Sequence, residues 1–345
     1  MRADLVDVIE ACYRPAPSDD VWLTEIMRAI RPALAADLGV KGMFFDVSDP
    51  LHARAWCPPV CAVGCPEGWD EREWLARSSA GMVAMFDAMS SSNQIEKAYR
   101  APRTGITASQ AVGREAWLRL PERGKSMVSM GVEDIVRVVC TDVTHKGCVL
   151  MGALGRVTSV PRRRTVQLCR LAVHVATGLR LRRRLDAAPG HEGEAILHPD
   201  GRVAHAESAA RPAAARSALR GFAKAVDRAR GKMRRSDPDA AITLWEGLAA
   251  GRWSLVDHFD SDGKRYLIAH KNDPELASPN ALSPVERQIA GYAAMGQGNK
   301  FIAYELGLSV STVSTHLGSA MIKLGVRSRA QLARLFGGIV GPPQG

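Results

Sequence analysis

Short polar and basic side chains that could contact a polyanion are concentrated in the last fifth of this 345-residue chain, between Leu282 and Leu335. Serine and threonine hydroxyls donate or accept hydrogen bonds at phosphates and at base edges, and lysines neutralise phosphates. The pattern therefore predicts nucleic-acid binding. The candidate contact residues are Lys300, Ser311, Thr312, Ser314, Thr315, His316, Gly318 and Lys323.

Helix boundary signals show which elements would position these residues. Ser283 is a helix cap, Pro284 suits the first helical position, and Glu286 completes a capping box three residues after Ser283. The remaining predicted boundaries are glycine stops at Gly296, Gly307 and Gly325, and caps at Asn299, Ser311 and Ser328. These signals predict four short helices.

The second and third of these helices are joined by a tight turn, which is the geometry of a helix-turn-helix. The third helix would enter the major groove, with Ser319 sharing its outward face. Lys300 would begin the second helix and Lys323 would end the third, both placed for phosphates. The predicted buried stripe of the third helix is Val313, Leu317, Met321, Ile322 and Leu324.

The run from Leu282-Ser-Pro-x-Glu-Arg, through Asn-Lys-x-Ile-Ala-x-Glu-Leu-Gly-Leu-Ser-x-Ser-Thr-Val-x-Thr-His, to Lys-Leu-Gly-Val-Arg-Ser-Arg-Ala-Gln-Leu resembles the LuxR/GerE-type helix-turn-helix. The resemblance implies bacterial transcription regulation, a four-helix domain and binding to double-stranded DNA as a homodimer. That family commonly has lysine at the position of Ser314 and a larger polar residue at that of Gly318. These departures imply a larger share for phosphate contacts.

Charge supports a polyanionic partner, because the net charge is +10. Residues 161–184 hold eight arginines and no acid, which is typical either of a contact surface or of a solvated helix face. Without an 18-residue apolar run or an apolar leader, no membrane association or secretion is expected. Seven cysteines, an odd number, favour reduced thiols and a cytoplasmic location.

Residues 1–186 are predicted to form an α+β sensor domain that ends in a long, arginine-rich helix. The expected elements are helices in 1–38, a strand at 40–47, a helix at 70–89, a long loop within 90–108, strands at 134–141 and 148–154, and a helix of about 25 residues from Pro161. Val21, Ile26, Ile30 and Leu34 should form the buried stripe of the second helix. This order resembles a GAF domain.

Residues 187–275 are predicted to form a second α+β domain. A strand hairpin within 194–205 is followed by an Ala/Arg-rich helical stretch to about Arg235, and a second hairpin spans 253–270. This order resembles a reduced PAS domain. Residues 276–345 would then be the helix-turn-helix domain. The predicted fold class is multidomain: an α+β sensor region, GAF-like and then PAS-like, followed by an all-α, four-helix LuxR-type domain.

Cys57, Cys61 and Cys65 are spaced four residues apart, with His52 nearby. Three thiolates and an imidazole could bind zinc or an iron–sulfur cluster. A distant second ligand pair is missing, however, so unligated loop thiols are the favoured interpretation and no metal or other cofactor is expected. Trp56, Trp69, Trp74 and Trp117 could line a ligand pocket or fill a core.

The sequence predicts a sequence-specific regulator that is controlled by an unknown small-molecule or protein signal at its N-terminal region. The alternative is a protein-interaction or signalling scaffold whose helix-turn-helix makes weak base contacts or none. An enzyme with a DNA-binding tail is not expected, because Walker, Gly-x-Ser-x-Gly and His-Glu-x-x-His motifs are all absent.

Overall fold

The computed structural model describes residues 3–46, 54–64, 104–119, 128–141, 146–187, 193–250, 253–259, 263–271, 282–294, 296–324, 326 and 328–337. The predicted helix at 70–89 lies outside these residues, as does most of the predicted loop at 90–108. No helix among the described residues is long and apolar enough to cross a membrane.

The chain begins with two helices, α1 (Leu5–Tyr13) and α2 (Asp19–Leu34). The Asp4 carboxylate caps α1 by accepting from the backbone N–H groups of Val6 and Asp7. Leu5, Val8, Ile9 and Cys12 form a buried stripe on α1. In α2 the buried face includes Trp22 and Leu23, whereas Val21 is 38% exposed. The prediction for Val21 was wrong because Val21 lies about 180° around the helix from the fully buried Ile30.

The first sheet contains β1 (Val40–Asp46), β2 (Arg54–Val63), β3 (Ile106–Thr107), β4 (Asp134–Thr141) and β5 (Lys146–Leu154). Its strands lie in the order β2-β1-β5-β4-β3, and every neighbouring pair is antiparallel. The predicted hairpin of β4 and β5 is present, with Asp134 opposite Leu154. Two short helices, α3 (Ala108–Val112) and α4 (Arg114–Arg119), follow β3.

The long arginine-rich helix is α5 (Arg162–Ala187), close to its predicted bounds. It packs against α1 and β4. Leu168, Leu171 and Val175 are fully buried along one face. Gly178 continues this face, where a Cβ would lie 2.3 Å from the Cys12 carbonyl oxygen of α1. The absence of a side chain at Gly178 therefore allows α1 and α5 to approach closely.

The second sheet contains β6 (Ala195–Leu197), β7 (Val203–Ala206), β8 (Trp253–Phe259) and β9 (Arg265–Lys271), in the antiparallel order β7-β6-β9-β8. Both predicted hairpins are present. Helix α6 (Ala213–Arg228) runs into a π-helical turn (Ala229–Met233) and a short helical segment (Arg234–Ser236).

A helix that the sequence reading overlooked follows, α7 (Pro238–Ala250). Its start carried a usable signal, since Pro238 occupies the first helical position and the Asp237 carboxylate accepts from the Ala240 N–H at 3.1 Å. Trp245 of α7 is fully buried.

The two sheets share one apolar core, which extends from Leu5 to Ala269. At its centre the Trp245 ring stacks on Tyr13 with centroids 6.0 Å apart, and the Tyr13 hydroxyl lies 3.0 Å from His174 Nδ1. Burial lowers the pKa of His174 to about 3, so this imidazole is neutral. The division predicted at residue 187 separates the sheets in sequence, but their side chains pack together.

Ion pairs at the edge of this core also join the two halves. Arg230 lies 2.6 Å from Glu10 of α1 and 2.6 Å from Asp257 of β8. Arg234 lies 2.7 Å from Asp4. On the other side of the junction, Arg163 of α5 contacts Asp239 of α7 at 2.7 Å. The GAF-like and PAS-like descriptions remain predictions.

Replacing Gly178 with alanine should separate α1 from α5, because the new Cβ would collide with backbone atoms of Cys12. We expect a loss of about 1–3 kcal/mol in the free energy of unfolding, measured by urea denaturation. The matched control is Gly221→Ala, which places a Cβ in open space on α6 and should raise stability by about 0.4–1 kcal/mol. Equal effects of the two variants would contradict the close packing.

Candidate nucleic-acid interface

The C-terminal helices are α8 (Pro284–Ala294), α9 (Asn299–Leu306), α10 (Val310–Lys323) and α11 (Arg329–Gly337). Their apolar faces form a core of their own. Ile289 of α8, Ile302 of α9, Val313 of α10 and Leu332 of α11 are all fully buried there.

The predicted capping box at the start of α8 is confirmed. The Ser283 backbone N–H donates to Glu286 Oε2 at 2.7 Å, and the Glu286 N–H donates to Ser283 Oγ at 3.2 Å. The predicted cap at Ser328 is also present, since its hydroxyl accepts from the Gln331 N–H at 3.1 Å.

Two predicted caps were wrong. Ser309, not Ser311, caps α10 and accepts from the Thr312 N–H at 3.0 Å. Gly298, not Asn299, precedes α9, so Asn299 is its first helical residue. In both cases another small or hydroxyl residue two positions or fewer away suits the cap equally well, so sequence alone does not choose between them.

The turn between α9 and α10 is the tight connection that a helix-turn-helix requires. Gly307 has φ +63°, a left-handed conformation that favours glycine. The next residue, Leu308, donates its N–H to the Ala303 carbonyl at 2.9 Å and closes the end of α9. The predicted stop at Gly307 is confirmed.

Helix α10 has a clear inner and outer face. Val313, Leu317 and Ala320 are buried, in agreement with the 3.6-residue period. Ile322, predicted to belong to this stripe, is 82% exposed. That prediction was wrong because Ile322 lies about 160° around the helix from Ala320 and Leu324. It therefore points away from the core.

The outer face of α10 carries most of the predicted contact residues. The structure exposes Ser311, Ser314, Thr315 and Gly318, and leaves Thr312 and His316 partly exposed. The Thr315 hydroxyl donates to the Ser311 carbonyl at 3.1 Å, which orients it along the helix. A band of small polar groups with Gly318 in it can approach a surface closely.

Lys323 and Ser319 have a structural role that the sequence analysis missed. Lys323 Nζ lies 2.8 Å from Glu286 Oε1 and 2.7 Å from Oε2, and the Ser319 hydroxyl donates to Oε1 at 2.6 Å. These bonds join α10 to the start of α8. Burial raises the pKa of Glu286, but the bonds from Lys323, Ser319 and Ser283 outweigh it and hold the pKa at about 2.

Lys300 is exposed at the second position of α9, where it can reach a neighbouring phosphate. Arg329, which the sequence analysis did not select, supports this end of α9 from α11. Its guanidinium donates to the Gln297 carbonyl at 2.8 Å and to the Asn299 side-chain oxygen. Its position in the run Val-Arg-Ser-Arg gave no means of telling a supporting arginine from a phosphate ligand.

The cysteine candidates are only partly visible. Cys57 and Cys61 lie in β2, and the Cys61 thiol is 3.8 Å from the Asp20 carbonyl; Cys65 and His52 lie outside the described residues. Within the described part of the chain, no group of three His, Cys, Asp or Glu residues could hold a metal ion. Trp117 is buried and donates to the Glu133 carbonyl at 3.0 Å, so it fills the core on the outer face of the first sheet.

Comparison with known families decides what this helical unit is. Residues 280–336 match the sequence model described as "Bacterial regulatory proteins, luxR family". Residues 280–336 are a LuxR-family helix-turn-helix domain. The match includes all four C-terminal helices except the last residue of α11.

Three relatives each align with about a quarter of this chain or less. The HTH-type transcriptional regulator MalT of Vibrio campbellii is 32% identical over 91 residues, which are 26% of this chain and 10% of MalT. MalT of Vibrio cholerae is 34% identical, also over 91 residues that are 26% of this chain and 10% of MalT. The transcriptional activator protein EchR of Dickeya chrysanthemi is 37% identical over 71 residues, 21% of this chain and 28% of EchR. The chain thus spans about a tenth of MalT and about a quarter of EchR.

Replacing Glu286 with glutamine should loosen the LuxR-type domain. Because the folded-state pKa is below the ordinary 4.5, the carboxylate stabilises the fold above that value, and this contribution is lost as pH falls from 4.5 to about 2. We expect Glu286→Gln to cost about 2 kcal/mol at neutral pH and to remove this pH dependence. Hydrogen exchange of the α8 and α10 amides, corrected for intrinsic rates, measures both effects.

The companion variants are Lys323→Met and the double substitution. If the Glu286–Lys323 pair is the cause, Lys323→Met should cost less in the Glu286→Gln background than in the unmodified chain. Additive costs would show that the two side chains act independently.

Proposed function

We propose that this protein is a DNA-binding transcriptional regulator whose LuxR-type domain contacts the major groove through α10. The observation that carries the proposal is the exposed polar face of α10 in a LuxR-family domain. Hydrogen bonds from Ser319 and Lys323 to the buried carboxylate of Glu286 fix the position of this helix. B-form DNA admits an α-helix in its major groove, where donors and acceptors on base edges distinguish the base pairs. Ser311, Ser314 and Thr315 supply the complementary hydroxyl groups.

Phosphate contacts provide much of the affinity in this proposal. Lys300 lies on α9, the helix that crosses the DNA backbone in helix-turn-helix complexes. Lys323 is bonded to Glu286, so any phosphate contact would use the remaining hydrogen of its ammonium group. Short side chains at Ser314 and Gly318 limit direct base contacts, which gives the backbone a larger share of the binding energy.

Control by the upstream region is the second part of the proposal. A small-molecule or protein signal would shift the population of conformations that allow two LuxR-type domains to bind adjacent half-sites as a homodimer. The shared core of the two sheets would let a change on either sheet reach α5. We place the protein in the cytoplasm and assign it no enzymatic activity and no cofactor.

A second candidate is a protein-interaction scaffold with weak base contacts. Tyr304 on α9 is 85% exposed and Ile322 on α10 is 82% exposed, and apolar groups of this kind also occur at protein interfaces. This candidate predicts that substitutions at Lys300 and Thr315 leave DNA binding unchanged.

Replacing Ser314 with lysine should strengthen binding to duplex DNA, because it adds a cation at the centre of the exposed face of α10. The expected change is an increase of up to about 0.9 in the magnitude of the slope of log K against log salt concentration. Lys300→Ala should lower the slope by a similar amount. Fluorescence anisotropy with a labelled duplex, over a range of salt concentrations, measures both.

The matched control is Gln288→Lys, which adds the same charge at an exposed position on α8. A general effect of net charge would make Gln288→Lys and Ser314→Lys equal. Failure of the full-length protein to bind duplex DNA at low salt would refute the proposed function.

A further inference from the structure

Helix α6 of the second sheet unit carries a row of cations that the LuxR-type domain does not account for. Arg220, Lys224 and Arg228, called here the basic row, follow one another at four-residue intervals and are all exposed. The other side of α6 is fully buried through Leu219, Ala223 and Val226. The orientation of the helix is therefore fixed, and the row faces solvent.

The charges of the basic row are not neutralised within the described structure. None of its three side chains forms an ion pair with a described carboxylate, whereas nearby Arg230 and Arg234 are paired with acids of α1. Asp227, the one acid between residues 213 and 236, lies 3.4 Å from Arg265. The same segment holds eight basic residues.

Such an arrangement has a cost for folding. Like charges four residues apart on a helix repel each other, and here two such steps follow in succession. A solvated helix face would be more stable with an acid at one of these positions. An unpaired row that the fold itself does not require indicates a partner of opposite charge.

The dimensions of the basic row fit a DNA backbone. Its three positions span about 12 Å along the helix axis, and successive phosphates of one strand rise by about 3.4 Å. Three or four phosphates therefore lie within reach of flexible side chains. Lys232 and Arg235 extend the positive surface beyond Arg228. They line a solvent-open cleft of about 780 Å³ together with Ser236 and Asp4, whose carboxylate is paired with Arg234.

The LuxR-type domain would bring DNA to this surface. Ten residues lie between Lys271 at the end of β9 and Leu282, so the Cα atoms of these two residues can never be more than about 40 Å apart. A duplex bound by α10 is thus kept at high local concentration near α6. An acidic protein could also neutralise the row, but DNA is the polyanion that the proposed function already places within this distance.

We propose that the basic row of α6 is a second DNA-binding surface, which contacts the phosphate backbone beside the segment bound by the LuxR-type domain. The inference rests on the proposed function and adds a role for the second sheet unit. Because phosphate contacts carry no sequence information, the row would increase affinity and the length of DNA covered without changing the sequence preferred.

The test uses the full-length protein with all three residues of the row replaced by alanine. Binding is measured against mixed-sequence duplexes of about 20 and about 60 base pairs, between about 50 and 200 mM salt. On the longer duplex we expect the magnitude of the salt slope to fall by up to about 2.7 per protomer, since each of the three lost phosphate contacts contributes about 0.9. The shorter duplex, which the LuxR-type domains can fill, should show a smaller change.

The control triple variant replaces Arg14, Arg114 and Arg156 with alanine. These three exposed arginines lie outside α6 and outside the arginine-rich helix α5, and their replacement removes the same charge. Alanine is favourable in helices, and the row variant also loses the repulsion between like charges. Its melting temperature should therefore equal or slightly exceed that of the unmodified protein, and neither variant should be destabilised. An unchanged salt slope in the row variant, or equal decreases in both variants, would overturn this inference but not the proposed function. Unmodified protein that binds neither duplex would overturn the proposed function as well.

Discussion

The fold of the upstream half of the molecule depends on burial of the apolar face of α5 by both sheet units. This helix has Leu168, Leu171 and Val175 fully buried, yet it also carries eight arginines that need water or acids. The first sheet with α1 covers one part of the face, and α7 with Trp245 covers another. Separation of the two sheet units would expose the stacked Tyr13–Trp245 pair and the neutral His174 to water.

The LuxR-type domain uses a buried charge where the upstream half uses apolar packing. Glu286 is 4% exposed and accepts hydrogen bonds from Ser283, Ser319 and Lys323. A single carboxylate therefore closes the N-terminus of α8 and fixes the angle of α10 against it. Such an arrangement is directional, so it specifies one orientation of α10 more strictly than additional apolar contact would.

Features that depend on interactions between neighbouring residues could be predicted from the sequence, whereas features that depend on distant residues could not. Local signals were sufficient for the start of α8, the turn at Gly307, the hairpin of β4 and β5, and the length of α5. Choices between neighbouring caps, such as Ser309 and Ser311, depend on small differences that local rules do not resolve. The roles of Lys323 and Ser319 depend on Glu286, more than 30 residues away, and only the folded structure brings these groups together.

The same reasoning explains the other differences. Helix α7 was not predicted although Asp237-Pro238 marks its start, because the Ala/Arg-rich stretch before it contains a helix end of its own only two residues earlier. Ile322 was assigned to the core on its apolar character, while the positions of Val313 and Leu317 on the 3.6-residue period already excluded it. The junction of the two sheets could not be predicted, since Tyr13 and Trp245 are more than 230 residues apart.

Helix α10 divides its residues between two tasks with almost no overlap. Val313, Leu317 and Ala320 maintain the domain core, and Ser319 and Lys323 hold the helix to α8 through Glu286. The outward positions bear no part of that framework. Substitutions at Ser311, Ser314, Thr315 and Gly318 can therefore change the outward surface of α10 in single steps, while the domain core and the contacts to Glu286 remain intact.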